Sequence, residues 1–513
     1  MGAYAIESRY MRFLDLLSGA EIVAHSGNPE ITGVSYDSRR VKPGDVFVAM
    51  RGELRDGNRF IDQAIRSGAV AIVTDAGRRL VDVAWAQVPH ARRALAVISA
   101  NFFGRPADRL ALSGITGTNG KSTSAFLLES MLTAAGRSSA LVGTIEYHVA
   151  GKILPAPHTT PEALELHRLF SDALSGAASE TVMEVSSHAL AQGRTYGIRF
   201  DVAVFTNLTR DHLDYHHTME EYFAAKKILF AGAGAQPPRV AVINAEDSHG
   251  RELAKFSKAQ GSQVITYGLA QGDFHAAHLK ITVRGTEFDL VGPDISVSMV
   301  SPLIGRVNAY NILAASAAGF ARGCGPAAIA EGVRNLTRVP GRFERVDQGQ
   351  PFTVVVDYAH TDDALRNLTS LAREIVKPAG GRVITLFGCG GDRDRTKRPL
   401  MGEAAGQGSD FVVLTSDNPR SEDPLAIILD ARVGLERSAV RYQTEPDRRK
   451  AIYLALSAAR SGDIVLLAGK GHESVQVVNG TSFPFEDKKV AAEVLRDLGY
   501  DGQNPVLGVK KPR

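Results

Sequence analysis

Two cysteines in 513 residues, Cys324 and Cys389, are too few and too far apart to frame a disulfide-stapled fold or a zinc site, so they read as reduced thiols. Long apolar runs are missing: none approaches the roughly 20 residues that cross a bilayer. The start of the chain carries Glu7 and Asp15 without an apolar stretch, which excludes an export signal there. Gly2 invites myristoylation, but Ile6 stands where that motif needs Ser or Thr. Charge of one sign is also scarce, with 59 Lys and Arg against 56 Asp and Glu. A net charge of +3 gives no basic excess of the kind that coats nucleic acid. Low-complexity sequence is absent too. The expectation is a cytoplasmic monomer that acts on small molecules, with no nucleic acid and no membrane insertion.

With 44% apolar and 22% charged residues the whole chain has the composition of folded protein, and its length suggests about three domains. The first, 1–106, alternates β-rich runs at 31–34, 46–49 and 69–74 with a helical stretch at 60–67. It ends where Phe103-Gly104-Arg105-Pro106 breaks the pattern. The second, 107–341, repeats a buried apolar strand, a polar or glycine-rich turn and a helix, with strands at 110–115, 181–185, 202–206 and 240–244. The third, 342–513, follows Pro340-Gly341-Arg342 with strands at 353–356, 382–387, 411–415 and 464–468. Chemically able residues follow these strands at their C-terminal ends, as when ligands sit beyond the carboxyl edge of a parallel sheet. The fold class expected is α/β: a small N-terminal α/β domain, a central doubly wound P-loop ATPase-like domain and a C-terminal Rossmann-like domain. Residues 502–513, rich in Gly, Pro and Lys, read as a solvated end.

The most specific signal runs through Thr116, Gly117, Thr118, Asn119, Gly120, Lys121, Ser122 and Thr123, between a strand and a helix read over 124–135. Glycines let backbone N–H groups approach phosphate oxygens, the helix N-terminus favours negative charge, and Lys121 reaches the outer phosphates of ATP. Ser122 is placed to ligate Mg2+. Ile115 occupies the position where the strict Walker pattern has glycine, so this is a variant loop. The bland alternative is a glycine-rich turn with a chance lysine.

Two further segments end the next strands. Met183-Glu184-Val185-Ser186-Ser187-His188 puts a carboxylate near the loop, where Glu184 with Ser122 suits a phosphate-bound Mg2+. Thr209-Arg210-Asp211-His212 follows the other. Thr218 to Glu221 has the form of a capping box that opens a helix through Phe230. Met219, Tyr222, Lys226 and Leu229 share its apolar stripe, which is unexpected for Lys226. Lys227 lies to the side. Most such lysines snorkel to solvent, and that reading stays open.

The loop variant resembles that of the Mur ligases and the folylpolyglutamate synthetases, and the remaining motifs are similar to those of the Mur ligase family in order along nearly the whole chain. The resemblance assigns Glu184 to one Mg2+, His212 to a second metal site, and an N6-carboxylysine (a carbamylated lysine) to Lys226, with Lys227 as fallback. Lys121, Lys226 and His212 are thus the catalytic candidates. Gly305-Arg306-Val307-Asn308 resembles the asparagine motif that faces the nucleotide, and Arg342, Asp357 and His360 match the hinge and third-domain positions around it. The family's usual Thr-Pro-Asp continuation is here Thr361-Asp362-Asp363. Ser38, in a first-domain segment that folylpolyglutamate synthetases lack, falls near the uridine diphosphate, and Thr159, Thr160, Ser186, Gln192 and Arg194 match positions that hold the muramoyl dipeptide.

Asp417-Asn418-Pro419-Arg420 looks like the motif of the diaminopimelate-adding members. Meso-diaminopimelate carries a distal carboxylate that Arg420 can grip in a bidentate fork, with Arg393 adding charge, Glu473 holding an amino group and Gly469 lending backbone. The implied activity is ATP- and Mg2+-dependent addition of meso-diaminopimelate to UDP-MurNAc-L-Ala-D-Glu in peptidoglycan synthesis. The alternatives are a ligase of the same fold that adds L-lysine and, more remotely, a P-loop nucleotide switch without ligase activity.

Overall fold

The computed structural model describes residues 10–52, 55–77, 82–282 and 284–501. The readings made on Gly2, Ile6, Glu7 and the solvated end at 502–513 lie outside the described residues.

Each of the three units is built on its own main sheet. The first has five strands in the order Ala24–Ser26, Ala84–Gln87, Ala71–Thr74, Asp45–Ala49, Gly33–Ser35, parallel except for the first pair. The expected strand at 31–34 divides instead. Glu30–Ile31 pairs with Met11–Arg12, and Gly33–Ser35 joins the main sheet. Thr32 breaks the run by giving its N–H to the Gly44 carbonyl (2.9 Å). The helical stretch at 60–67 starts earlier, as a 3-10 turn over Gly57–Phe60 capped by Asp56, and continues as Ile61–Arg66.

The second unit carries eight strands in the order Lys152–Pro155, Glu146–Val149, Ser139–Val142, Glu180–Glu184, Ala111–Thr116, Val202–Phe205, Val240–Asn244, Gln263–Tyr267. Six are parallel, and the first two form an antiparallel hairpin at one edge. Runs such as Val-Ala-Val-Phe are apolar throughout because helices cover both faces of a parallel sheet, and the two faces bury separate clusters. An additional antiparallel sheet, His275–Thr282, Gly285–Gly292 and Ile295–Ser301, precedes the helices Arg306–Ala321 and Pro326–Asn335. Both helices pack on Lys121–Ala134, the helix that follows the phosphate loop.

In the third unit the order is Glu344–Val346, Thr353–Asp357, Ile464–Ala468, Val383–Phe387, Phe411–Leu414, Arg441–Thr444, with only the first strand antiparallel. Under its carboxyl edge, Arg448 and Asp487 form a fully buried two-pronged ion pair (2.7 and 2.6 Å). The same guanidinium donates to the carbonyls of Ser416 (3.2 Å) and Ala468 (3.1 Å), which ties two strand ends together. Cys324 and Cys389 are both free and buried. Among the described residues no helix is long and apolar enough to cross a membrane.

His167, on helix Ala163–Ser175, is buried with neither ring nitrogen hydrogen-bonded. Burial lowers its pKa to about 4. The unfolded chain therefore takes up the proton first, so stability is full above about pH 6.5 and is lost as the pH falls toward 4. Thermal melting at pH 7 and pH 5 tests this. His167→Leu should show a smaller drop in melting temperature between the two than the parent, from a contribution on the order of 2 kcal/mol.

Candidate active site

Strand Ala111–Thr116 lies inside its sheet, and residues 117–120 carry the chain from its end into helix Lys121–Ala134. Glycine is required at two points of this turn. A Cβ on Gly117 would lie 1.8 Å from Thr206 Oγ1, and one on Gly120 (φ 88°) would lie 2.3 Å from Asn311 Oδ1. The next strand's end braces the loop. The Asn119 N–H donates to Asn207 Oδ1 (2.9 Å), Thr206 Oγ1 donates to the Asn119 carbonyl (2.7 Å), and the Thr118 hydroxyl donates to the Thr209 carbonyl (3.1 Å). Phosphate-loop N–H groups in the first helical turn have no intrahelical acceptors, which leaves them for an anion.

Two lysines converge on this loop. Lys121 Nζ donates to the carbonyls of Gly117 and Thr118 (both 2.9 Å), and Lys226 Nζ donates to the same Gly117 carbonyl (2.9 Å). Lys226 is 1% exposed, as its place on the apolar stripe of helix Met219–Ala231 requires, and lies 4.4 Å from the centre of the Tyr222 ring. Thr218 caps that helix through the Glu221 N–H (3.1 Å). Burial drives the Lys226 pKa well below its ordinary value, with the Lys121 charge adding to the shift and Asp211 opposing it. Burial lowers Lys121 as well. Lys227 points elsewhere, to Glu252 (3.2 Å) and the Phe256 ring.

Glu184, at the end of its strand, is buried and held at both oxygens by Thr144, through its N–H (2.8 Å) and hydroxyl (2.8 Å). Thr144 Oγ1 also reaches Thr159 Oγ1 (3.1 Å). His212 stands beside His188, ring centres 4.8 Å apart, with backbone φ 56°. Burial pushes its pKa down to about 3, so it is a neutral imidazole at pH 7. Asp211 is the hub that motif reading overlooked. Its carboxylate faces His212 (3.4 Å), His360 (3.7 Å) and Lys397 (3.6 Å). Burial opposes its ionisation, but His212, the hydrogen bond from His360 and the Lys397 charge outweigh burial and hold its pKa well below the usual range.

The third unit closes over the loop. Arg342 Nη2 donates to Ser122 Oγ (3.2 Å) and its guanidinium lies 4.6 Å above the Tyr358 ring. Asn119 Nδ2 donates to Asp363 Oδ2 (3.0 Å). Asp357 accepts from the N–H groups of Phe343 (2.7 Å) and Ala359 (2.8 Å), and the His360 ring from the same turn hydrogen-bonds the Tyr358 carbonyl (2.8 Å). Thr361 caps the following helix through the Ala364 N–H, so Asp362 at the usual proline position leaves the cap in place. Together these elements enclose a cavity of about 250 Å³ lined by residues 117–123 and by Glu184, Ser186, His212, Lys226, Asn308, Arg342, Asp357 and His360.

A second cavity of about 160 Å³ is lined by Arg393, Asp417, Asn418, Arg420, Gly469 and Glu473. It shares Asp211, His212, Tyr358 and His360 with the first. Asn418 Nδ2 donates to Glu473 Oε2 (2.7 Å), and Arg420, whose pKa burial lowers with help from Arg393, donates to the Gly391 carbonyl (2.7 Å).

Not every expected residue lines these cavities. Thr116 lies at the strand end behind the loop, and Pro419 shapes its turn by accepting from the Glu422 N–H (3.0 Å). Thr159 and Ser186 face the first cavity, while Thr160, Gln192 and Arg194 stand behind it. Arg194 Nη1 donates to the Thr160 carbonyl (2.7 Å), its Nη2 to Gln192 Oε1 (2.8 Å), and it pairs with Glu162 (3.1 Å). Ser38 is remote from both cavities and donates to Gln63 Oε1 (3.2 Å). Besides Asp211, motif reading missed Thr144, Lys397 and Lys470. The last was legible as the lysine of Gly469-Lys470-Gly471, and the others had no local signal.

Three family models match the chain: Mur ligase family, catalytic domain over 30–103; Mur ligase middle domain over 115–319; and Mur ligase, glutamate ligase domain over 341–471. A UDP-N-acetylmuramoyl-L-alanyl-D-glutamate–2,6-diaminopimelate ligase of Solibacter usitatus is 55% identical, covering 92% of this chain and 94% of its own. One of Geobacillus thermodenitrificans is 45% identical over 93% and 97%. A solved structure of a ligase of that name superposes with a TM-score of 0.67 at 34% identity, covering 96% of this chain and 99% of its own.

Steric closure at Gly117 yields a direct test. Gly117→Ala should weaken ATP binding at least about tenfold, the equivalent of ~1.4 kcal/mol, by calorimetry. Gly325→Ala, where a Cβ would meet nothing within 4 Å, should bind as the parent does.

Proposed function

The chain belongs to the Mur ligase family, and from that membership we propose that it is the ATP-dependent ligase that adds meso-2,6-diaminopimelate to the D-Glu side-chain carboxylate of UDP-MurNAc-L-Ala-D-Glu in peptidoglycan synthesis. One observation carries the reading beyond the relatives' names. A phosphate-loop cavity and a pocket containing Arg393, Arg420 and Glu473 share a wall of Asp211, His212, Tyr358 and His360. An activated carboxylate in the first can meet an amine in the second across that wall. The units are 1–106 for the uridine diphosphate end, 107–341 for ATP and 342–513 for the amino acid. Both cavities are built from one chain, in keeping with a monomer, and dependence on ATP is in keeping with a cytoplasmic enzyme.

In the reaction a carboxylate oxygen of D-Glu takes the terminal phosphoryl group of ATP and ADP leaves. The amine of diaminopimelate then attacks the acyl carbon, the C–O bond to phosphate breaks, and the amide, phosphate and a proton are released. Lys121, the free N–H groups in the first turn of helix Lys121–Ala134 and Arg342 stabilise charge on the transferred group. Mg2+, when bound, offsets the charge of the phosphates. Ser122 and Glu184 suit one ion by their oxygen donors, and Thr144 fixes Glu184 at both oxygens. His212, neutral through burial, has a lone pair to offer a second.

Lys226 suits carbamylation. A buried ammonium held by a backbone carbonyl readily yields the neutral amine, whose lone pair attacks the carbon of CO2; an N–C bond forms and a proton leaves. The product is an anion where two lysines otherwise crowd one carbonyl. Asn308, Asp357 and His360 border the nucleotide, and Thr159, Thr160, Ser186, Gln192 and Arg194 hold the dipeptide, with Arg194 keeping Thr160 and Gln192 in place. Ser38 serves the uridine diphosphate end. Closure turns on the segment before Phe343, where Gly341 abuts residues 471 and 472 too closely for any Cβ.

Specificity rests on Arg420 and Arg393, which meet the distal carboxylate that L-lysine lacks. Leaving the part-buried Arg420 guanidinium without its carboxylate costs roughly 2–4 kcal/mol, or about 30- to 1,000-fold in discrimination. Phosphate release from ATP, measured with the UDP-MurNAc dipeptide and either meso-diaminopimelate, L-lysine or no amine, tests the reading. Release should depend on diaminopimelate and fall by a similar factor in Arg420→Ala. Equal use of lysine would mark a lysine-adding ligase, and release without amine would mark a nucleotide switch.

A further inference from the structure

Arg420 does not take its position from the sheet it follows. Its backbone lies at φ 53°, a conformation that residues with a Cβ seldom adopt. It is held there from outside, by a hairpin of Val475–Val478 and Thr481–Pro484 that belongs to no other sheet. The Arg420 N–H donates to the Val477 carbonyl (3.0 Å), and the Asn479 N–H donates to the Arg420 carbonyl (2.6 Å). Gln476 Nε2 donates to the Asp417 carbonyl (2.7 Å), and the Val477 N–H donates to Asn418 Oδ1 (2.9 Å). The loop 417–420 is thus an added partial strand of the hairpin. Local strain at a binding residue persists only when its surroundings over-determine it.

Lys470 connects the same parts from within. Its side chain is wholly buried, and Nζ donates to Asn418 Oδ1 (3.3 Å), Glu473 Oε2 (3.0 Å) and the Val475 carbonyl (2.6 Å). Three donors meet three acceptors, one each on the specificity loop, the turn that carries Glu473 and the root of the hairpin. An ammonium spent in this way is not offered to substrate.

We propose that Lys470 and the 475–484 hairpin are the positioning apparatus of the amino-acid site, which sets the reach of Arg420 relative to Glu473 and so selects for a distal carboxylate. The inference rests on the proposed diaminopimelate reading. Val477 and Asn479 act through Arg420 itself, Gln476 through the Asp417 carbonyl of the same loop, and Lys470 through Asn418 and Glu473; all are positioning residues. Selectivity is set by the spacing between the two charged groups, and that spacing is fixed by hydrogen bonds made outside the cavity.

The test measures KM separately for meso-diaminopimelate, ATP and the UDP-MurNAc dipeptide in the full-length enzyme, along with the preference for diaminopimelate over L-lysine. Gln476→Ala removes one neutral hydrogen bond and should raise KM for diaminopimelate about fivefold, with KM for ATP unchanged and the preference over lysine reduced. Asn479→Pro removes the N–H given to Arg420 and also breaks the turn, because proline cannot take the φ of 49° found there, so it should do the same more strongly, whereas Asn479→Gly keeps both N–H and turn and should match the parent. In an Arg420→Ala background Gln476→Ala should have no further effect, a non-additivity that general destabilisation does not produce. Lys470→Met should lose most of the selectivity. If it fails to fold, Gln476→Ala at its partly exposed position still decides. A parent enzyme that uses diaminopimelate selectively, with Gln476→Ala and Asn479→Pro unchanged in KM and preference, overturns the proposal and leaves the function standing. A parent indifferent to diaminopimelate overturns both.

Discussion

Two ammonium groups donate to one carbonyl oxygen, that of Gly117, and the rest of the site is arranged around that crowding. Lys121 reaches it from the helix that follows the loop, and Lys226 from helix Met219–Ala231, 109 residues further along the chain than Gly117. Backbone carbonyls answer both charges, and a carbonyl is a weak counterweight to a buried cation. Relief comes from an anion. Phosphate supplies it for Lys121, and on our reading carbamylation supplies it for Lys226. Asp211, the nearby carboxylate that tempers both lysines, is itself committed to His212, His360 and Lys397.

The same loop is where the second and third units meet. Arg342 touches Ser122, Asp363 accepts from Asn119, and Asp211 is approached by two side chains of the third unit. Each contact puts a group of the third unit against a group of the second. Binding at either side therefore bears on closure, and the shared wall at His212 and Tyr358 is completed only when the units are together. The non-glycine residues with positive φ near the cavities, His212, Phe343, Asp392 and Arg420, lie on the loops that make these approaches. At these four positions the loops take a left-handed backbone as they aim side chains toward the cavities.

Much of this was legible beforehand. Apolar runs such as 202–206 and 464–468 declared a parallel sheet because burial on both faces leaves no alternation, and the strand–loop–helix context of Gly117 to Ser122 declared a phosphate site. That Lys226 is a buried lysine was legible from one charged residue on an apolar stripe, while Lys227 turns to Glu252. What escaped depends on distance in sequence. Thr144 meets Glu184 across 40 residues and Lys397 meets Asp211 across the unit boundary, so neither leaves a local pattern. The split at Thr32 escaped because the partner strands, not the run of β-formers, decide where a strand ends. Arg194 was read among the residues that hold the muramoyl dipeptide, and the contacts that tie it to Gln192, Thr160 and Glu162 left no pattern to read.

The account turns on whether the buried amine of Lys226 becomes an anion. The most direct measurement is 13C NMR of the enzyme equilibrated with 13C-labelled bicarbonate. A protein-bound carbamate signal in the parent that disappears in Lys226→Ala and persists in Lys227→Ala is the predicted result. A parent spectrum without that signal, or one that survives in Lys226→Ala, would contradict it.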